Sequence, residues 1–183
     1  MAQRYTHEIT KSVKNPEFVF FWGNPPGQIA PGCLSNFYPA EFTYCGIVFP
    51  TSEHYMMYMK ACMAGDEEAK VKVFEDERPG VAKMVGRSVK NFNQDLWTEY
   101  SHDIMVPGLI AKFTQNPKLE EYLLSTGDKI LVEASPSDKI WGIGMAANDP
   151  HINNPAMWNG ENRLGYVLMF VRDYIRTMRL LNA

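Results

Sequence analysis

Glu53 and Lys60 stand seven residues apart, about two turns if the chain between them is helical, so both side chains leave the same face. A carboxylate and an ammonium along one helix edge can meet a substrate that develops positive charge at one atom and carries a phosphate at another. Each also has a plainer use. A carboxylate in a first helical turn complements the free N–H groups and the dipole there, and a lone lysine is usually solvated. Trp141-Gly142-Ile143-Gly144 sets two glycines beside a large flat ring, which suits either close backbone approach to a ligand or a tight turn with a core tryptophan. Asn162-Arg163-Leu164-Gly165 opens the last helical stretch. Free N–H groups plus an arginine suit a phosphate, while an Asn cap with a surface Arg gives the same letters. Trp97 lies off the apolar line of its neighbours Leu96 and Tyr100, which places it either in the core or at a cleft edge. His54 adjoins Glu53 and points about 100° away from it on a helix, so it is read as structural or a secondary contact.

Other chemistries are not indicated. The three cysteines, Cys33, Cys45 and Cys62, lack CxxC spacing, and the four histidines form no HxxxH pair, so neither a disulfide framework nor a metal site is expected. There is no P-loop, no Ser-His-Asp order and no GxGxxG after a strand. Eighteen basic against twenty-one acidic side chains leave a charge of -3, too little positive field to hold a nucleic acid by its phosphates alone. Hydrophobic residues at 45% and charged residues at 21% fit a self-folding chain rather than a disordered one. The polar start lacks the apolar stretch of a signal peptide and no run is long enough to span a membrane, so a cytoplasmic protein without membrane association is expected.

The elements that must position these groups follow from pattern. A polar leader over 1–17 precedes a single domain over 18–183. Phe18 to Trp22 reads as a buried strand stopped by Gly23-Asn24-Pro25-Pro26-Gly27. Residues 42–44 and 46–49 read as a hairpin, and Thr51 and Ser52 offer caps for a helix running to Gly65 with Tyr55, Met59, Cys62 and Met63 inward. Asp66 to Arg78 is expected as a charged helix with Val71 and Phe74 inward, and Pro79 restarts a helix to Gly86. Met56, Met57, Met59, Met63 and Met84 are taken as core filler. Asp95 to Thr114 carries Leu96, Tyr100 and Ile104 as its apolar line before Pro107 kinks or splits it. A short helix from Pro117 to Gly127, a strand over 129–134, a long loop over 141–160 and a final amphipathic helix from about Asn162 complete the chain. The class is α+β, mainly helical with a small β-sheet.

Leu34-Ser35-Asn36-Phe37, Thr51-Ser52-Glu53-His54-Tyr55, Met84-Val85-Gly86-Arg87, Lys112-Phe113, Trp141-Gly142-Ile143-Gly144 and Asn162-Arg163-Leu164-Gly165, in this order, resemble the NADAR family, also called YbiA-like, over roughly residues 18 to 180. The resemblance implies a compact α+β domain that cleaves an N-glycosidic bond without a metal or nicotinamide cofactor. It further implies substrates such as ADP-ribosylated guanine in nucleic acid or ribosylated pyrimidine intermediates of riboflavin synthesis. Glu53 matches the family's acidic residue and Trp97 an aromatic position tied to activity. Some members place Asp directly after the Trp-Gly pair, where this chain has Ile143, so a second carboxylate is sought at Asp149, with Asp138 the alternative.

Breaking a ribosyl C–N bond builds positive charge on the sugar and negative charge on the leaving base. Glu53 suits the sugar side or the attacking water. Asn36, Phe37 and Trp141 suit the base or sugar, and Lys60, Arg87 and Arg163 suit phosphates of an ADP-ribose or ribosyl-phosphate ligand. The competing reading is a non-catalytic ADP-ribose or nucleotide-binding module, kept open by Ile143.

Overall fold

The computed structural model describes residues 5–23 and 29–182, so the expected turn at Asn24 to Gly27 lies outside the described residues. The class is α+β. Seven α-helices accompany two two-stranded sheets among the described residues. They group into two compact units, Met1–Ser35 with Pro117–Ala183, and Asn36–Asn116.

The contiguous unit begins with the expected hairpin. β2 (Phe42–Tyr44) and β3 (Ile47–Phe49) pair antiparallel, with Phe42 opposite Phe49, and Cys45 and Gly46 make the turn with φ of 49° and 77°. Helix α2 (Ser52–Ala64) starts because the Thr51 side chain accepts the N–H of His54, and stops at left-handed Gly65. Its buried residues are not the expected stripe. Ser52 to Met57 are all buried, whereas Met59, Cys62 and Met63 are half-exposed, because the hairpin and the helices over 79–87 and 94–114 pack around the first two turns of α2. Helix α3 (Glu67–Lys72) is shorter than the span from Asp66 to Arg78, since Asp66 caps it, and it buries Ala69 and Val73 instead of Val71 and Phe74. Helix α4 (Pro79–Arg87) leaves Met84 60% exposed, which corrects its place among the core methionines. A Cβ on Gly86 would lie 1.8 Å from the Met57 sulfur, so only glycine lets α4 approach α2 this closely.

Helix α5 (Gln94–Thr114) is not split by Pro107. Its buried line is Trp97, Ser101, Met105, Gly108 and Leu109, one residue from the expected Leu96, Tyr100 and Ile104. Gly108 explains the shift, because its missing Cβ is where the Tyr55 ring sits, 2.3 Å from the position such an atom would take. The Tyr55 hydroxyl donates to the Ile104 carbonyl at 2.8 Å.

The discontinuous unit pairs β1 (Phe18–Phe21) with β4 (Ile130–Glu133) in parallel, Phe18 opposite Ile130. Helix α6 (Pro117–Ser125) precedes β4, and α7 (Arg163–Leu181) packs on it, with Leu164, Val167, Leu168 and Val171 all buried. The leader is not free of structure. Residues His7–Ser12 form α1, and His7 stacks on Trp158 at 5.7 Å and places Nε2 2.8 Å from the Pro155 carbonyl. No described helix is long and apolar enough to cross a membrane.

Candidate functional site

The contiguous unit gathers most of the charged candidates. Glu53 occupies the second position of α2 and is 3% exposed. Its N–H donates to the Asn36 carbonyl at 2.9 Å, which ties the segment carrying Asn36 and Phe37 to the first turn of the helix. His54 is held on both ring nitrogens, Nδ1 by Thr51 Oγ1 at 2.8 Å and Nε2 by the Asp76 carbonyl at 2.9 Å, in agreement with its structural reading.

Two turns along α2, Lys60 rests its ammonium 3.9 Å above the centroid of the Phe92 ring. Burial pulls this ammonium below the ordinary lysine range, the Glu53 carboxylate pushes it back up, and Arg87 adds to the lowering. Glu53 and Arg87 are thus each within electrostatic reach of Lys60. Arg87 comes from the last turn of α4, held in place by the Gly86–Met57 approach. Neither Lys60 nor Arg87 forms an ion pair with a carboxylate among the described residues, which leaves two cations beside one buried acid.

Phe92 and Lys83 are additions to the residues singled out by sequence. The Phe92 ring lies 6.3 Å from that of Trp97, which is 7% exposed, so Trp97 supports the ring on which Lys60 rests. Phe92 precedes the Asn93 cap of α5 and belongs to no apolar periodicity, so nothing in the pattern marks it. Lys83 lies one turn before Arg87 on α4 and sits 5.4 Å over the Phe37 ring. The i, i+4 spacing of these two cations is a signal the sequence does carry.

The discontinuous unit holds the remaining candidates, and there the geometry favours the plainer uses. Trp141 is buried and its N–H donates to Asp138 Oδ1 at 2.9 Å. The carbonyls of Trp141, Gly142 and Ile143 accept the N–H groups of Leu164, Asn162 and Asn159. A Cβ on Gly142 would stand 2.9 Å from the carbonyls of both Asp138 and Glu133, and Gly144 has φ of 63°. The two glycines therefore serve the loop's packing on itself, the tight turn of the two readings left open for Gly142 and Gly144. Ile143 is wholly buried. Asp149 Oδ1 accepts the N–H of His151 at 2.8 Å, the local bond of a turn aspartate, and Asp138 Oδ1 also accepts the N–H of Ile140 at 3.0 Å.

Asn162 is committed to β4. Its Nδ2 donates to the Leu131 carbonyl at 2.9 Å and its Oδ1 accepts the Glu133 N–H at 3.0 Å, so both amide atoms are used on β4 rather than on a phosphate. It adopts φ of 57°, a left-handed conformation that Asn tolerates. Gly165 completes the device, since a Cβ there would meet the Leu131 carbonyl at 2.0 Å. Arg163 Nε bonds Glu161 at 2.7 Å.

The family model described as "NADAR domain" matches residues 20–176. An N-glycosidase of Acanthamoeba polyphaga mimivirus is 40% identical over 167 residues, covering 88% of this chain and 98% of the relative. The N-glycosidase YbiA of Escherichia coli is 32% identical over 174 residues, 95% of each chain. A riboflavin biosynthesis protein of Vibrio vulnificus is 34% identical over 145 residues, 79% of this chain but 36% of that protein. The solved NMR structure of Escherichia coli YbiA superposes with a TM-score of 0.72 and 28% identity, covering 98% of this chain and 94% of that one. With the model matching along almost the whole chain and the relatives agreeing from end to end, this chain belongs to the NADAR domain family.

Proposed function

We propose that this chain is an N-glycosidase that hydrolyses the bond between the anomeric carbon of a phosphorylated ribose and a nitrogen of its base. The observation that carries the reading is the buried Glu53 carboxylate and Arg87, each in electrostatic reach of Lys60, with no competing acid paired to either cation. As the C–N bond breaks, the carboxylate faces the growing positive charge on the sugar and takes a proton from the attacking water. The water oxygen bonds to the anomeric carbon as the C–N bond breaks, and the proton taken by Glu53 passes through solvent to the nitrogen of the leaving base, which restores the carboxylate. Lys60 and Arg87, with Lys83, offer charge to the phosphates, and the Phe37 ring offers a face to the base. Trp97 acts as a positioning residue, through Phe92 and Lys60.

Relatives named N-glycosidase support the reaction, and one named for riboflavin biosynthesis supports a ribosylamino-pyrimidine phosphate as substrate. The same groups suit ADP-ribosylated guanine, free or in nucleic acid. The three cysteines, none of them in a disulfide among the described residues, suit a reducing cytoplasm. Glu53→Gln keeps the shape and removes the charge, so it lowers turnover by at least roughly 10²-fold and leaves ligand binding in place. Release of free base, followed by mass spectrometry against both substrate classes, is the measurement. Near-normal turnover in Glu53→Gln would sink the assignment. Ile143, an apolar core residue where some members carry Asp, favours the second reading of a binding module, for which the same assay shows binding without release of base.

A further inference from the structure

Asn36 is 5% exposed, and its Oδ1 is buried with no hydrogen-bond partner among the described residues. An acceptor left in that state costs free energy until a donor meets it. The main chain of the same residue is already engaged, its carbonyl taking the Glu53 N–H at 2.9 Å, so the amide and the carboxylate grow from adjoining points of the backbone. The helix start beside them has little to offer an anion. The N–H of His54 goes to Thr51 Oγ1 and that of Tyr55 to the Thr51 carbonyl, each at 3.3 Å. What remains beside Glu53 is a neutral acceptor, and a neutral acceptor selects a hydroxyl.

Resting on the glycosidase reading, we propose that Asn36 accepts a hydrogen bond from the 2-hydroxyl of the substrate ribose and thereby selects ribosyl over 2-deoxyribosyl conjugates. The 2-hydroxyl is on the carbon next to the one that Glu53 faces. As that neighbour becomes cationic the hydroxyl becomes a stronger donor, so the bond tightens in the transition state and its effect falls on kcat more than on KM. A deoxy substrate leaves Oδ1 unmet in a desolvated place, the situation in which polar sites discriminate most strongly. Without the enzyme the order is reversed, because a 2-deoxyribosyl bond breaks more easily in water, so a preference for ribose is imposed by the protein.

The test uses ADP-ribosyl-guanosine and a ribosylamino-pyrimidine phosphate, each with its 2-deoxyribosyl counterpart. Both kcat and KM are measured for the wild type, Asn36→Ala, Asn36→Ser and Ser52→Ala, together with melting temperatures. The wild type prefers the ribosyl form by at least roughly 10²-fold in kcat/KM. Asn36→Ala reduces that preference by at least about tenfold, chiefly in kcat, and Asn36→Ser, which keeps an oxygen, retains part of it. Neither variant melts lower, because the side chain makes no hydrogen bond to the described residues. Ser52 Oγ is also buried without a partner, and Ser52→Ala keeps the wild-type preference. An unchanged preference in Asn36→Ala, a wild type with none, or a loss shared equally by Ser52→Ala overturns the assignment, as does a lowered melting temperature with the preference intact. If base is released equally from ribosyl and deoxyribosyl forms, the glycosidase reading stands and the Asn36 assignment alone falls. If no base is released from any conjugate, both fall together.

Discussion

Lys60 meets two demands of opposite sign. On the proposed glycosidase reading phosphate binding needs its ammonium, while burial resists that charge. Because the folded pKa lies below the ordinary value of 10.5, there is a window beneath 10.5 in which the unfolded chain holds a proton that the folded one has released. Stability contributed by Lys60 therefore rises with pH across that window, and phosphate affinity falls. Urea midpoints and KM for a phosphorylated substrate, both measured against pH, should therefore rise together across the window, and Lys60→Met should flatten both. A midpoint that rises while KM stays flat or falls would refute the account. The Glu53–Lys60 relation was legible because helix geometry fixes it, whereas Phe92 belongs to no repeating pattern. Asp149 is a carboxylate with a turn's local bond, which an Asn can make as well. Asp149→Asn should leave turnover and melting temperature close to wild type, and a loss of turnover alone would return it to the chemistry.

Among the elements, α5 shows where pattern reading fails. Leu96, Tyr100 and Ile104 offer the apolar periodicity, yet Leu96 and Tyr100 are exposed and the packed line runs through Ser101 and Gly108. Small residues are what let helices and rings approach closely, and a count of apolar side chains passes over them. The hairpin and the limits of α2 were legible because a turn, a hydroxyl cap and a left-handed glycine are local chemistry. The start of α7 lies between these cases. The Asn162 side chain works as a length of extra strand along β4, and no local pattern announces a partner thirty residues away. Asn162→Ala strands the Leu131 carbonyl and the Glu133 N–H together, at roughly 1–3 kcal/mol each, and Gly165→Ala forces α7 off β4 at a further ~1–3 kcal/mol or more. Denaturant midpoints well below wild type are expected for each, and an unchanged midpoint in either would argue that the block serves a ligand instead.

At the scale of the whole molecule, the polar leader is a fastening. Tyr5 donates to Asp173 on α7 at 2.6 Å, and His7 holds Pro155 and Trp158. Deletion of residues 1–13 removes at least the hydrogen bonds of Tyr5 to Asp173 and His7 to Pro155 and a ring stack, about 2–4 kcal/mol or more. A calorimetric melt of the truncated chain should shift down accordingly, and a melt identical to that of the full chain would leave α1 without an energetic role. The parallel pairing of Phe18–Phe21 with Ile130–Glu133 also sets an order in time. On a ribosome adding about 5–20 residues per second, the strand Phe18–Phe21 emerges roughly 5–20 s before its partner has been made. Residues 36–116, all local to one another, can meanwhile fold behind it. During synthesis the aromatic segment Phe18-Val19-Phe20-Phe21 is thus the stretch most in need of a chaperone's shelter, and the last hundred residues, rather than the first, decide when the chain is safe from aggregation.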